Sequence, residues 1–180
     1  MTDRDARVSA RAAPVGHLAH LVIESPIGPL TLVASADALC ALRFPNGRPV
    51  GAHDGAAEPQ HAVLAVAARQ LAEYFAGNRT EFDLPLDPHG SAFQRSAWQG
   101  LTTVPFGATV SYGEQARRLG LEGKARAIGA ANGANPIPVI LPCHRVIGSD
   151  GSLTGFGGGL ETKAWLLHHE RRVVGLELPF

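Results

Sequence analysis

The segment from Asn135 to Gly148 constrains the fold of this 180-residue chain more than any other part of it. Prolines at positions 136, 138 and 142 bracket an apolar run, and a cysteine, a histidine and an arginine follow directly. Proline has no amide proton to offer a helix interior or a central strand, so the segment is predicted to be rigid and extended, outside any central strand. We therefore expect Cys143 to be held on stiff backbone, as a nucleophile must be.

The thiol of Cys143 needs activation if it is to react. A free thiol with a pKa near ~8.5 is only a few per cent thiolate at neutral pH. The adjacent His144 and Arg145 are each predicted to raise that fraction. Neighbouring side chains of an extended segment point to opposite faces, so a direct bond between Cys143 and His144 requires a turn or a bridging water.

A carboxylate for this pair is predicted on the last helix, Thr162–Arg172. The side chains on one face of that helix are Lys163, Leu166, Leu167 and Glu170. Glu170 should therefore face inward, whereas His168 and His169 lie off that face. Since a buried carboxylate needs a partner, we expect Glu170 to orient His144.

A Cys–His–Glu set leaves several functions open. It fits a thiol hydrolase, a redox sensor or a group-transfer protein, and the alternative is that Cys143 is buried and inert. The other cysteine, Cys40, lies in a predicted strand and is expected to be a buried structural thiol. Two cysteines without zinc-ligand spacing predict no disulfide framework, no metal site and a reducing, cytoplasmic compartment.

The charges divide unevenly between the two halves of the chain. Residues 1–90 carry seven basic and ten acidic side chains, a balance of −3, whereas residues 91–180 carry nine and six, a balance of +3. The formal net charge of zero argues at first against a nucleic-acid partner. Because it is a cancellation between unlike halves, it instead suggests two domains with different roles.

The predicted fold class is α+β, with a small antiparallel-sheet α/β domain before a mainly helical domain. The predicted divisions are a flexible leader at 1–17, an N-terminal structural domain at 18–88, a C-terminal domain at 89–175 and a tail at 176–180. The N-terminal elements are strands His20–Glu24, Leu30–Ser35 and Leu39–Phe44, a loop Arg48–Gln60 and a helix His61–Ala76. No apolar run approaches the roughly 18 residues of a membrane span.

The second half predicts a helix-turn-helix. After a helix at Ala92–Leu101, the spacing of Ser111 and Glu114 fits a capping box that starts a helix at Tyr112–Leu119. Glycines then break the chain before a second short helix at Lys124–Gly133. Residues 111–145 carry five cations and two anions, which supports modest, salt-sensitive phosphate binding.

The second of these helices is almost entirely alanine and glycine. Such a thin helix fits a groove about 6 Å wide, as the minor groove of DNA is, and offers little to the major groove. Arg126 projects from its start and is suited to replacing an extruded nucleotide in the base stack. The alternative is a closely packed helix pair with a solvated arginine.

These residues together resemble a known family, the O6-alkylguanine-DNA alkyltransferases (methylated-DNA–protein-cysteine methyltransferases). The resemblance is dense over 90–171 and looser over 18–88. The matching motifs are, in chain order, Ser25–Gly28, Leu71–Phe75, Ser111-Tyr112, Ala125–Ala127, Ala131–Gly133, Asn135-Pro136, Pro142–Gly148, Gly155–Gly159 and Lys163 to Glu170.

The resemblance implies direct-reversal DNA repair by a protein that is consumed in the reaction. It would bind duplex DNA through the minor groove, flip the damaged nucleotide, and move the alkyl group of O6-alkylguanine, or of O4-alkylthymine, to Cys143. Double-stranded DNA with an alkylated guanine is the implied partner. No cofactor, metal, membrane or obligate protein partner is implied, and the chain is expected to be a monomer.

The resemblance also implies a role for individual residues. His144 would act through a water as the base for Cys143, Glu170 would orient it, and Asn135 would brace the active-site turn. Tyr112 would donate to the departing guanine and rotate the 3′ phosphate. The implied DNA-binding residues are Arg126, which fills the vacated stack, with Gly113, Ala127, Gly129, Ala130, Gly133 and Ser149. The implied pocket residues are Tyr112, Pro138, Val146, Phe156 and Gly157.

Some positions depart from the family pattern. Gly133 stands where some members carry an arginine, and Phe156 replaces a common tyrosine. The family's N-terminal zinc ligands and the extra four-cysteine domain are not recognisable, so neither metal binding nor transcriptional activation is implied. Of the rival functions, a lesion-binding protein without transfer is disfavoured by Cys143 itself, and a thiol hydrolase by the alanine- and glycine-rich helix.

Overall fold

The N-terminal half forms a four-stranded sheet in the computed structural model, which describes residues 17–46 and 54–176. The predicted leader and tail lie outside these ranges except for residues 17 and 176. The strands are β1 (Ala19–Ile23), β2 (Leu30–Ala34), β3 (Leu39–Arg43) and β4 (Ala56–Ala57). Their order is β3-β2-β1-β4, and β1, β2 and β3 form the predicted antiparallel meander.

The strand β4 was not predicted, because it lies within the expected loop 48–60. It pairs in parallel with the start of β1 through only two residues, Ala56 and Ala57. Two residues are too few to show the alternation by which a strand is recognised in a sequence. Residues 47–53 of the expected loop are outside the described part of the chain.

One helix, α1 (Ala62–Phe75), packs on the sheet. It is the predicted helix His61–Ala76, shorter by one residue at each end. Its buried side chains include Leu64, Leu71 and Tyr74, which join the core under the sheet. The same core continues into the C-terminal half through Trp98 and the chain before Cys143. The two halves therefore share one hydrophobic core.

The C-terminal half is mainly helical, so the predicted α+β class is confirmed. Its elements are α2 (Ala92–Leu101), β5 (Val110–Ser111), α3 (Tyr112–Arg118), α4 (Ala125–Gly133), a 3₁₀ turn (Cys143–Arg145), β6 (Val146–Ile147) and α5 (Leu160–Val173). β5 and β6 form a short parallel ladder that was not predicted, and it ties the start of α3 to the chain after the 3₁₀ turn. No helix in the described ranges is both long and apolar enough to cross a bilayer.

Helices α3 and α4 form the predicted helix-turn-helix, braced from behind by α2. Small side chains let the helices approach closely, and a buried cluster unites Ala97, Ala116, Ile128 and Ala131. Polar side chains lock the arrangement: Trp98 donates to the carbonyl of Ala131 at 2.7 Å, and the amides of Gln115 and Asn132 face each other at 2.8 Å. The inward face of α4 is thus used for packing, and its other face remains exposed.

The predicted capping box at the start of α3 forms only by half. The Ser111 hydroxyl accepts from the backbone N–H of Glu114 at 3.1 Å, as expected. The Glu114 carboxylate instead pairs with Arg117 and with Arg118, because two cations one turn further along compete better for it than a neutral N–H. A complete capping box, which was not predicted, forms at Ser91 and Gln94 before α2.

Candidate active site

Cys143 lies at the start of the 3₁₀ turn, buried with 7% of its surface exposed. The preceding chain is rigid: the Cys143 N–H donates to the carbonyl of Leu141 at 2.8 Å, and Arg145 N–H to that of Pro142 at 3.0 Å. Val139 has φ of +74°, an unfavourable value for a β-branched residue. The turn that a contact between Cys143 and His144 requires is present: it is the 3₁₀ turn Cys143–Arg145 at the end of this segment.

Asn135 closes the loop that precedes the thiol. Its side-chain amide donates to the carbonyl of Leu141 at 2.8 Å, and its side-chain oxygen accepts from the N–H of Ile137 at 3.0 Å. Because Asn135 follows α4 after a single residue, these bonds connect the helix-turn-helix to the turn that carries Cys143. This is the geometry that a bracing role requires.

The environment of the thiol keeps it protonated. Burial raises the pKa of Cys143 to about 11, although the side chain of Asn135 and the charge of Lys163 act to lower it. The thiol alone is therefore a poor nucleophile at neutral pH, and it needs a base.

The cation near the thiol is Lys163 on α5. Arg145 was expected in that position. The fully buried ammonium of Lys163 donates to the carbonyls of Val146 and Thr154 at 2.6 and 2.7 Å. Burial lowers the pKa of Lys163, and the nearby thiol opposes that change. The sequence signal was available, since Lys163 was predicted on the same helical face as Glu170.

Arg145 instead binds the carboxylate of Glu170. Its Nε lies 2.9 Å from Oε2, a second guanidinium nitrogen lies 3.0 Å from Oε1, and a third donates to the carbonyl of Val104 at 2.7 Å. Burial would raise the pKa of Glu170, but the hydrogen bonds and charges of His144 and Arg145 outweigh it and lower that pKa to about 2. Glu170 is thus a permanent carboxylate, facing inward as its helical spacing predicts.

His144 is fully buried and contacts this carboxylate directly, with Nε2 2.7 Å from Oε1 of Glu170. Burial lowers the pKa of His144 despite the adjacent charge, so the ring is neutral at pH 7. Because Glu170 only accepts, Nε2 of His144 carries the proton. Nδ1 is left with its lone pair and has no hydrogen-bond partner among the described residues. The pair is arranged as an oriented base.

Two further residues at this carboxylate were not predicted. The hydroxyl of Tyr74, from α1, donates to Oε1 of Glu170 at 2.9 Å, and the N–H of Gly107 donates to Oε2 at 2.9 Å. His169, which was expected to lie off the inward face, is buried; its Nε2 lies 2.8 Å from the carbonyl of Tyr74. No local sequence pattern could reveal these contacts, since the partners are distant along the chain.

Three of the predicted pocket residues lie close to the same turn: Val146 follows it directly, Pro138 pairs with Leu141 just before it, and Phe156 lies beside His144. Pro138 and Val146 are buried, Phe156 is half-buried and Gly157 is exposed. The ring of Phe156 lies 6.4 Å from that of His144, edge to face.

Two further side chains lie beside these residues. The ring of Phe44, just after β3, contacts Phe156 at 5.3 Å and closes on Gly158, where an added Cβ would meet it at 3.0 Å. Phe44 was not predicted to take part. The hydroxyl of Tyr112 donates to the carbonyl of Thr154 at 3.1 Å and so ties the start of α3 to this loop.

The predicted DNA-facing residues lie on the helix-turn-helix and the loop after β6. Those exposed are Gly113, Arg126, Ala130, Gly133 and Ser149, and those half-buried are Ala127 and Gly129. No acidic side chain in the described ranges pairs with Arg126. Of the five cations counted in this stretch, Arg145 is buried against Glu170, so the field at the surface is weaker than the sequence count suggests.

One group outside this site has the donors that a metal ion would need. The Cys40 thiol, the Asp87 carboxylate and the His89 imidazole lie within 4.8 Å of one another. Three donors are fewer than the four protein ligands of a structural zinc site. Nε2 of His89 lies 3.8 Å from a carboxylate oxygen of Asp87 at the surface. The absence of a metal from the function stays a prediction.

Comparison with known proteins matches both halves of the chain. Residues 18–88 match the ribonuclease-like domain of 6-O-methylguanine DNA methyltransferase, and residues 92–172 match its DNA-binding domain. Curated relatives named methylated-DNA–protein-cysteine methyltransferase include one from Mycolicibacterium paratuberculosis, 51% identical over 83% of this chain and 90% of its own length. Another, from Methanosarcina acetivorans, is 42% identical over 84% and 97%.

Solved structures agree with these sequence matches. The O6-methylguanine methyltransferase of Mycobacterium tuberculosis superposes with a TM-score of 0.80 at 46% identity, covering 86% of this chain and 93% of its own. The M. tuberculosis OGT in complex with DNA gives a TM-score of 0.78 at 46% identity, covering 87% and 94%. The two domain matches, the curated relatives and the solved structures all point to the same family, and this chain belongs to the 6-O-methylguanine DNA methyltransferase family.

Proposed function

We propose that this protein repairs DNA by direct reversal, transferring the alkyl group of O6-alkylguanine in duplex DNA irreversibly to Cys143. The observation that carries the proposal is the buried thiol on a rigid turn, next to a neutral histidine whose other nitrogen is bound to a permanent carboxylate. This is the arrangement of an activated nucleophile. We extend the substrate to O4-alkylthymine, whose alkyl–oxygen bond has the same chemistry.

The transfer balances without a cofactor. The thiol proton passes through a water to Nδ1 of His144, and Sγ of Cys143 attacks the alkyl carbon as its bond to O6 breaks. The electron pair of that bond stays on the guanine, which receives a proton from the hydroxyl of Tyr112. The proton that His144 took from the thiol then returns through solvent to the Tyr112 oxygen, so both side chains end neutral. The product on the protein is a stable thioether, so each molecule acts once.

The roles of the surrounding residues follow from their positions. Glu170 fixes the proton of His144 on Nε2, and Asn135 holds the turn that carries the thiol. Pro138, Val146, Phe156 and Gly157 would wall the pocket for the flipped base. Since Phe156 has no hydroxyl, its contact with the base is apolar.

DNA binding is assigned to the exposed face of the helix-turn-helix. The thin helix α4 would enter the minor groove with Ala127, Gly129, Ala130 and Gly133 against it, while Arg126 occupies the place of the extruded nucleotide. Gly113 and Ser149 would approach the DNA backbone, and Tyr112 would rotate the 3′ phosphate. With few free cations at this face, binding should be modest in affinity and sensitive to salt.

We further propose a division into a structural domain at 18–88 and a DNA-binding, alkyl-accepting domain at 89–175. The protein would act as a monomer without an obligate protein partner. Its reaction needs a reduced thiol, and both cysteines are free, which suits a cytoplasmic location.

The test is to incubate the protein with a duplex that contains one O6-methylguanine and to measure its mass. We expect the mass of one methyl group on the peptide that contains Cys143, and none with an undamaged duplex. Cys143→Ser should bind the damaged duplex and gain no methyl group, while the matched control Cys40→Ser should react as the wild type does. A Cys143 peptide that stays unmodified would overturn the proposal.

A further inference from the structure

The N-terminal domain reaches the carboxylate of the active site through Tyr74. This residue lies in the last turn of α1 and is fully buried, and its hydroxyl is 2.9 Å from Oε1 of Glu170. The two residues are separated by 96 positions in the sequence. The bond therefore joins the N-terminal domain to the group that orients His144.

Tyr74 and His144 share one acceptor atom. Oε1 of Glu170 accepts from the Tyr74 hydroxyl at 2.9 Å, from His144 Nε2 at 2.7 Å and from Arg145 at 3.0 Å. Each hydrogen bond to a carboxylate oxygen stabilises part of its negative charge, so several donors on one oxygen leave less charge for each of them. The Tyr74 hydroxyl thereby moderates how strongly Glu170 draws the proton of His144.

The structure around Tyr74 holds its hydroxyl in place. Its ring packs against a set of aromatic side chains, and its carbonyl is 2.8 Å from Nε2 of His169. The rings in contact with it belong to Phe75, Phe82, Phe106 and His169. Burial and the adjacent Glu170 raise the pKa of Tyr74 well above its usual value, so the hydroxyl stays a donor throughout the physiological range.

We propose that Tyr74 is a positioning residue for alkyl transfer, through which the N-terminal domain sets the orientation and the hydrogen-bond strength of His144. This inference rests on the proposed function. Among the described residues, the titratable and charged groups around His144 and Glu170 are Cys143 and Arg145 on the turn, Lys163 and His169 on α5, and Tyr74 on α1. Of these, Tyr74 is the group supplied by the N-terminal domain.

Tyr74→Phe isolates the hydroxyl, because phenylalanine keeps the ring and its packing. Single-turnover methyl transfer would be measured from pH 5 to pH 9 with the full chain and a duplex containing O6-methylguanine. We expect the plateau rate to fall about three- to tenfold, the effect of roughly one hydrogen bond. With less of its charge shared, Glu170 favours protonated His144 more strongly, so the acid limb of the profile should move to higher pH.

A second measurement does not depend on DNA. The imidazole ¹⁵N signals of His144, assigned by their loss in His144→Gln, should titrate at higher pH in Tyr74→Phe than in the wild type. Leu64→Ala is the matched control, because it weakens the packing of α1 nearly three turns away from Tyr74. It should lower the unfolding temperature while leaving the position of the acid limb unchanged.

The outcomes separate this inference from the proposed function. If the wild type gains no methyl group, the proposed function fails and the role of Tyr74 in transfer fails with it. If the wild type reacts and Tyr74→Phe shows the same rate and the same acid limb, the role of Tyr74 alone is overturned. An equal shift of the acid limb in Leu64→Ala would also overturn it, since the effect would then be one of stability.

Discussion

The buried site around Cys143 and the exposed face of α4 are close in sequence and differ in almost every physical respect. Around the thiol, polar groups bind one another: the side-chain carboxylate of Glu170 alone accepts hydrogen bonds from four residues. On the exposed face of α4 the side chains are hydrogen atoms and methyl groups, and Arg126 has no ion-pair partner in the described part of the chain.

This difference shows how the two tasks of the protein are divided. The chemical groups are oriented before DNA arrives, because their mutual hydrogen bonds in a buried site determine one arrangement. The exposed face of α4 makes few bonds within the protein, so we expect its interactions to be completed by the partner. Changes in the buried site should therefore affect both stability and chemistry, whereas changes on α4 should affect the reaction with duplex DNA alone.

Replacing Glu170 by Gln should produce the largest effect and tests the first half of this comparison. The change replaces one carboxylate oxygen by an NH2 group, which donates and cannot accept, so the proton of His144 is no longer fixed on Nε2. It also leaves the buried Arg145 guanidinium without a counter-charge. In acid–base triads a wrong histidine tautomer costs up to about 10⁴-fold in rate, and a broken buried ion pair costs about 3–5 kcal/mol. We expect methyl transfer to slow by about a thousandfold. The free energy of unfolding in urea should fall by ~3 kcal/mol, the cost of the broken buried ion pair.

Glu161→Gln, at the exposed start of the same helix, is the control for the loss of one negative charge. It should change the rate less than twofold, within the range of ordinary surface substitutions. A stable Glu170→Gln protein that transfers at the wild-type rate would contradict the role of the carboxylate and remove the contrast with α4.

Without DNA, the reactivity of the Cys143 thiol should increase about a hundredfold from pH 7 to pH 9. Burial raises the pKa of Cys143 to about 11, and below that pKa the thiolate fraction increases tenfold with each pH unit. The measurement is the rate of alkylation by iodoacetamide in Cys40→Ser, which leaves Cys143 as the one thiol. A plateau between pH 8 and pH 9 would instead mean that the site activates the thiol before the lesion binds.

Arg126→Ala should produce the smallest of these effects and tests the second half of the comparison. Transfer from a duplex should slow about tenfold, because nothing fills the space of the flipped nucleotide. Reaction with free O6-methylguanine should be unchanged, and so should the unfolding free energy, to within about 0.5 kcal/mol. Arg172→Ala, an exposed cation on α5, is the control for charge. Equal slowing with the duplex and the free base would show that Arg126 does not act in flipping.

Most helices and strands could be predicted from the sequence, because their signals are local. The meander, α1 and α5 lie within a residue or two of their predicted positions, each marked by its periodicity and by flanking glycine or proline. The misses have local causes as well. β4 is too short to show a pattern, and the side chain of Glu114 was taken by two arginines instead of the backbone N–H.

The predicted site residues were only part of the site. Cys143, His144 and Glu170 could be proposed together because two are adjacent and the third has a helical spacing that turns it inward. Arg145 was expected to act on the thiol, and it binds Glu170 instead, because the 3₁₀ turn points it to the other side. Lys163 was placed on the correct face, but its proximity to the thiol depends on how α5 packs.

The sequence by itself determined the order of the elements, the rigid segment that ends in Cys143 and the inward direction of Glu170. These depend on proline, on helical period and on neighbours a few residues away, so they act before the chain is packed. Only the tertiary structure decided that Tyr74 and Gly107 bind Glu170 and that Phe44 supports Phe156. Such contacts join residues tens of positions apart, and those of Tyr74 and Phe44 exist only once the two domains share one core.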